Sequence, residues 1–311
     1  MGDWTAPDLA SSSGGQPSRK TPRDGRARPQ STLDVHDRPV TRSVYRPEHT
    51  MLVLLSPAKS LDWSPVATEL DQSQPVLGSD MGILMRVMKR KTPQELSALM
   101  HISDKLAHLN RDRFEAMSGA PEPTLARPAA LAFNGDVYQG LSARTLSHDD
   151  LAWAQDHVAI LSGLYGVLRP LDAIEPYRLE MGTRLKTRRG TNLYSFWGDR
   201  VTRVLNRRLQ DHPSPVVVNL ASNEYAKVVQ KKQLKANVIT PVFLEATGDT
   251  AKTISFFAKR ARGMMTRFIV EGRLTDPADL EGFTAGSYRF SPERSTADKP
   301  VFIRPKPPPA R

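Results

Sequence analysis

The sequence predicts a mixed α/β chain, either α/β or α+β, and three observations carry that expectation. Short apolar runs of strand length recur along it, segments with helical periodicity lie between them, and 39% of its 311 residues are hydrophobic, enough to bury a sizeable core. No internal repeat is visible.

Residues 1–50 stand apart. They hold six prolines, the run Ser11-Ser12-Ser13-Gly14-Gly15, eight basic and six acidic residues, and almost no apolar periodicity. Such a segment cannot bury enough surface to offset its ordering entropy, so disorder is expected there. At Met51 the texture changes to Met51-Leu52-Val53-Leu54-Leu55-Ser56-Pro57, a continuous apolar run stopped by Ser-Pro and expected to be a buried strand. Two explanations of the boundary stand: translation starts at Met51, or the leader is a basic arm with loose affinity for nucleic acid.

The next expected elements are helices over Met81–Met88 and Pro93–Leu109, then a strand over Ala129–Phe133. A helix over Asp149–Gln155 and a strand over Val158–Leu161 follow. After them come a helix over Leu193–Leu209, a strand over Val216–Leu220, a helix over Glu224–Gln230 and a strand over Val238–Leu244. The last long helix is expected over Thr250–Glu271. Ala285–Phe290 and Val301–Ile303 are expected to pair as a hairpin, and a flexible Pro-rich tail is expected over 305–311.

With 44 Lys and Arg against 33 Asp and Glu, the formal charge is +11, which points to an anionic partner. The absence of cysteine excludes disulfides, thiol redox sensing, iron–sulfur clusters and cysteine zinc sites. His101 and His108 lie two turns apart, too far to chelate one ion, so no metal and no cofactor are expected. No segment reaches the ~20 apolar residues of a membrane span, and the N-terminus lacks signal-peptide order, so a cytoplasmic location is the expectation.

The strongest charge pattern lies between Lys252 and Arg267. At 100° per residue, Ile254, Phe257, Ala258, Ala261, Met264, Met265, Phe268 and Ile269 fall within an arc of about 140°. Lys252, Lys259, Arg260, Arg262 and Arg267 fall outside it, and no acidic residue lies between Asp249 and Glu271. A solvated face normally mixes signs to gain i,i+4 pairs, whereas this one forgoes them, as a surface for phosphates would. Further clusters sit at Lys186, Arg188 and Arg189 and at Lys231, Lys232 and Lys235.

Polar groups follow the expected strands: Ser56–Asp62, Phe133–Tyr138, Leu161–Asp172 with Tyr177–Gly182, and Val218–Tyr225. In open α/β sheets such strand ends bind ligands, although each group also reads as a turn or a helix cap. Gly163-Leu164-Tyr165-Gly166 is a turn that could present backbone N–H groups to a DNA phosphate, as a helix-hairpin-helix does, but its spacing is not the usual one. Neither a phosphate-loop lysine motif nor a GxGxxG fingerprint is present.

The blocks SPAKSLD (56–62), FNGDVYQGL (133–141), LSGLYGVLRPLD (161–172), PYRLEMGT (176–183), NLYSFWG (192–198), VNLASNEY (218–225) and ISFFAKRARGMMTRFI (254–269) together resemble the YaaA family of peroxide stress proteins (UPF0246). The resemblance runs in order over 51–304. It implies a single α/β domain of unusual topology with a positively charged cleft, a helix-hairpin-helix-like element, and binding of double-stranded DNA in the cytoplasm. It also implies a part in limiting hydrogen peroxide damage by keeping free intracellular iron low. Carried over by position, it points to Lys252, Lys259, Arg260, Arg262 and Arg267 in the basic block, with Lys59, Arg169 and Arg178 in matching loops; Gly163 and Gly166 join the DNA-site candidates as the glycines of the turn.

Two functional classes act on DNA, and a third reading, a small-molecule enzyme of nucleotide metabolism, rests only on the polar loops at strand ends. A non-catalytic protein bound to duplex phosphates, without a membrane partner and favoured as a monomer, should show steep salt dependence. A DNA-acting enzyme, a base-excision glycosylase or lyase, would use Lys59 as an amine nucleophile with Asp62, Asp136 or Glu180 as acid–base partner.

Overall fold

An unbroken apolar strand must be covered on both faces, and β1 (His49–Leu55) is: its residues Met51 to Leu55 are all at most 2% exposed. The computed structural model describes residues 49–66, 70–119, 126–210 and 213–307. After β1 come β2 (Ser60–Leu61), α1 (Gly78–Lys89), α2 (Pro93–Met100), α3 (Asp104–Ala116), β3 (Arg127–Pro128), α4 (Ala129–Ala132), β4 (Phe133–Asn134), α5 (Asp136–Leu141) and α6 (His148–His157). The middle of the chain forms β5 (Val158–Ser162), β6 (Gly166–Leu168), β7 (Ala173–Ile174), α7 (Leu193–Trp197), α8 (Arg200–Leu209), β8 (Ser214–Asn219) and α9 (Asn223–Ala226). The last part forms β9 (Asn237–Ile239), β10 (Val242–Thr247), β11 (Thr250–Lys252), α10 (Ser255–Gly272), β12 (Arg289–Phe290) and β13 (Val301–Pro305).

The fold is mixed α/β. One sheet has the order β6-β5-β1-β8-β9; β5, β1, β8 and β9 run parallel, and only β6 runs against its neighbour. A second sheet, β11-β10-β13-β12, pairs β10 and β13 in parallel and the outer strands antiparallel. Because β5 and β8 flank β1 on opposite sides, the chain crosses β1 between them, and the carboxyl ends of these strands form a topological switch point. Among the described residues no helix is long and apolar enough to cross a membrane.

Local chemistry divides several elements that hydropathy joins. The expected helix over Pro93–Leu109 breaks at His101, whose φ of 53° ends α2, and Ser103 caps a fresh start at α3. Gly198, with φ 53°, separates α7 from α8 in the same way. The expected strand at Ala129–Phe133 is the single turn of α4 followed by β4. Between Ile239 and Val242 the chain leaves one sheet for the other at Pro241, which has no N–H to donate to a ladder. Helix α9 is shorter than expected, ending at Ala226. The late β pair forms as expected, with Arg289 opposite Ile303 and Phe290 opposite Phe302. Of the expected leader, 1–48 lie outside the described residues, while His49 and Thr50 already pair with Ser214 and Pro215. Pro305 is the last residue of β13 rather than the start of a tail, and 308–311 lie outside the described residues.

The helix expected over Thr250–Glu271 is two elements. Gly248, at φ 56°, turns the chain so that Thr250–Lys252 pair with Thr247–Glu245 as β11, and α10 begins only at Ser255. Ala258, Ala261, Met265 and Ile269 enter the core as the apolar arc requires, at no more than 3% exposed. The opposite side is not free: a Cβ on Gly263 would lie 1.8 Å from the Val137 carbonyl oxygen, and one on Gly140 would lie 2.1 Å from that of Arg260. α5 and α10 therefore cross backbone against backbone. Gly263→Ala should force them apart and cost about 1–3 kcal/mol or more, read by urea unfolding; an unchanged midpoint would contradict the close crossing.

Candidate functional site

The loops after β1, β5 and β8 meet at the switch point and are tied to one another by side chains. The Ser222 amide donates to Ser56 Oγ at 2.9 Å, and Ser56 Oγ donates to Ser222 Oγ at 3.3 Å. The Tyr138 hydroxyl donates to the Ser56 carbonyl at 3.0 Å, which fixes α5 to the loop after β1. The Tyr177 hydroxyl and Ser162 Oγ lie 2.6 Å apart. Glu224 accepts the Gly182 amide at 2.8 Å through its carboxylate and the Tyr194 hydroxyl at 2.9 Å through its carbonyl. Beside these ties, Glu180 holds Lys59 Nζ at 2.8 Å and Arg178 Nη2 at 3.1 Å. Burial holds the phenols of Tyr138, Tyr177 and Tyr225 above the usual tyrosine range, so all three keep their protons. Arg178 Nε is buried and has no hydrogen-bond partner among the described residues.

Six of the seven sequence blocks thus supply residues to one end of one sheet. Of the carboxylates expected beside Lys59, only Glu180 pairs with it. Asp62 accepts the amide and hydroxyl of Ser64 and pairs with Arg144 at 3.3 Å, contacts that lower its pKa, those from Ser64 most. Asp136 opens α5 and makes no ion pair with a described residue. Lys59 itself is 63% exposed, so the pair is a surface ion pair rather than a buried one.

The other expected residues are dispersed. β6 runs back along β5, which carries Arg169 to the end of the sheet opposite Lys59, where its backbone N–H and Nε both donate to the buried Asp172. Gly163 and Gly166 lie in the hairpin joining β5 to β6, between strands rather than helices. Both are buried; a Cβ on Gly163 would lie 2.2 Å from the Leu179 carbonyl oxygen, and Gly163 itself accepts the Trp197 indole N–H at 3.0 Å. Arg267 donates to the carbonyls of Leu141 and Ser142 and to Thr145 Oγ1, at 3.2, 3.1 and 2.8 Å, and so closes the carboxyl end of α5. Arg262 is half-buried, and desolvation pulls its pKa down. Lys252, Lys259 and Arg260 are exposed.

A second polar surface was not anticipated. Along α8, Arg200, Arg203 and Arg207 line a depression of about 540 Å³ together with Lys235, Asn206 and Asp80. Asp80 pairs with both Arg189 and Arg200, and Asn206 accepts the Lys235 amide at 2.9 Å. Of the two minor basic clusters, Lys235 lines the depression, and Arg189 is tied to it through Asp80. The signal was present in the spacing: Arg200, Arg203 and Arg207 recur at i, i+3 and i+7 opposite Val201, Leu205 and Leu209, which are buried. Among the described residues, no three acidic or histidine side chains gather as a metal site.

The family model for peroxide stress protein YaaA matches residues 51–294, which include both surfaces. The chain belongs to the YaaA family. It is 54% identical over 259 residues to a UPF0246 protein of Roseobacter denitrificans, covering 83% of this chain and 99% of that one. A UPF0246 protein of Polaromonas naphthalenivorans is 55% identical over 254 residues, with 82% and 98% covered. One from Caulobacter vibrioides is 51% identical over 257 residues, with 83% and 100% covered. Within this YaaA-family fold the switch-point cluster is the more tightly built site, and the α8 depression is the more cationic.

Proposed function

We propose that the protein binds double-stranded DNA through its phosphates in the cytoplasmic response to hydrogen peroxide, and there helps limit oxidative damage linked to free iron. The observation that carries the DNA reading is the row of Arg200, Arg203 and Arg207 beside Lys235 in an open groove. Guanidinium groups at helical spacing suit a phosphate backbone, and counterion release then makes affinity fall steeply with salt. The peroxide role follows from the family. Binding of a labelled duplex from low to physiological salt tests the first part: a flat salt dependence would refute phosphate binding.

The Lys59–Glu180 pair supports a second reading, that of a lyase acting on damaged DNA. In it the Lys59 ammonium passes a proton to Glu180, and the freed amine attacks the ring-opened aldehyde of an abasic deoxyribose. Glu180 then returns the proton to the carbinolamine hydroxyl, which leaves as water as the C=N bond forms. Borohydride reduction in the presence of abasic duplex should give a covalent adduct that is absent in Lys59→Ala; no adduct from the unmutated protein removes this reading and leaves duplex binding untouched.

A further inference from the structure

Behind α8, at the end of the sheet opposite Lys59, lies a separate cavity of about 370 Å³. Its walls are of two kinds. Val76, Val167, Leu168 and Val204 supply apolar surface, while Gln74, Arg169, Arg207, Arg208 and Asp172 supply the polar and charged groups. Asp172 is fully engaged: it accepts from Ser73 Oγ at 2.6 Å and from the backbone N–H and Nε of Arg169.

Arg208 has no such partner. Its Nη2 donates to the carbonyls of Gln155 and Val158, at 3.2 and 3.1 Å, but its buried Nη1 has no hydrogen-bond partner among the described residues. Burial, then the like charge of Arg169, pulls its pKa down to about 10, while Asp156 and Asp172 act the other way. Asp156 does not line the cavity. A largely buried cation with an unmet donor is costly unless something supplies an acceptor.

We infer that this cavity binds a small organic phosphate, a phosphate monoester on a compact apolar or aromatic body, with its phosphoryl group between Arg207 and Arg208 and its body against the valine–leucine wall. Three lining guanidiniums against one carboxylate leave two positive charges, which match a dianion better than a monocarboxylate. The volume falls in the range of small-molecule sites, roughly 300–1,000 Å³. Arg207 also borders the α8 groove, so a ligand here would draw on a cation shared with that surface.

Isothermal titration of the full chain with AMP, adenosine and inorganic phosphate tests the assignment. AMP should bind one per chain, with adenosine and phosphate at least about tenfold weaker, since each lacks half of the complementarity. Arg207→Gln should weaken AMP about tenfold or more, and Val76→Trp, an exposed position at the cavity wall, should weaken it without disturbing folding. Affinity should fall between pH 7.5 and 5.5, because the monoester loses its second charge near pH ~6 while the arginines stay protonated. Absence of AMP binding, equal binding of adenosine, or an AMP affinity unchanged by Arg207→Gln would overturn the inference. Duplex binding by a protein that ignores AMP refutes this site alone; AMP binding by a protein that ignores duplex refutes the DNA reading alone.

Discussion

Reversing Arg203 and Arg207 to glutamate should reduce duplex affinity by at least about tenfold and flatten its salt dependence. Each phosphate left without its cation takes roughly 0.9 from the slope of log K against log salt, so two of them lower it by about 1.8. Both side chains are exposed, and the Arg203–Asp199 contact at 3.3 Å is a surface pair worth little to stability. The variant should therefore melt as the unmutated protein does, and circular dichroism together with anisotropy titration at two salt concentrations separates folding from binding. The companion variant Lys259→Glu with Arg260→Glu removes the two exposed cations of α10. If that pair abolishes binding while the α8 pair does not, the DNA surface lies on α10 and the groove is a solvated face.

The largest stability effect should come from Glu245, which is 1% exposed in the second sheet. Its carboxylate accepts the Ile254 amide at the start of α10 at 3.0 Å, accepts the Tyr288 hydroxyl, and pairs with Arg304 at 3.5 Å. Arg304 is in turn stacked between the rings of Phe257 and Tyr288, 4.7 and 4.5 Å from their centroids. Burial and the neighbouring carboxylate push the Tyr288 phenol upward, so that it stays a donor. Glu245→Gln would leave a buried guanidinium without its counter-charge, which typically costs about 3–5 kcal/mol. Adding Arg304→Met should recover part of that loss, because the uncompensated charge leaves with it. Chemical denaturation of the two single variants and the double variant measures the coupling; additive losses would mean that the ion pair is not what holds the start of α10 in place.

Much of the architecture was legible from local pattern. The run Met51–Leu55 announces a buried strand, and Val158–Leu161 and Val216–Leu220 announce two more, which the tertiary structure pairs with it in parallel. The elements that misled were those in which one residue changes the backbone: His101, Gly198 and Pro241 interrupt patterns that hydropathy leaves continuous. The polar loops were also recognisable as strand-end loops, and the structure shows why they belong together: Ser56 and Ser222, 166 residues apart, share a hydrogen bond.

The basic helix shows the limit of that reasoning. Periodicity placed Ala258, Ala261, Met265 and Ile269 in the core, because a single helix must bury its apolar arc against something. Periodicity cannot show what lies on the other side, and there the Gly140–Gly263 crossing brings α5 against α10 while Arg267 closes the end of α5. Two of the five cations, Arg262 and Arg267, are drawn into the fold, and Lys252 belongs to a strand. What the sequence determined by itself was the class of fold, the family, and an excess of positive charge that needs an anion. Only the tertiary structure decided where that charge gathers. Side chains distant in the chain, such as Asp80, Arg203 and Lys235, become one surface, with Arg189 tied to it through Asp80, by contacts that no local period encodes.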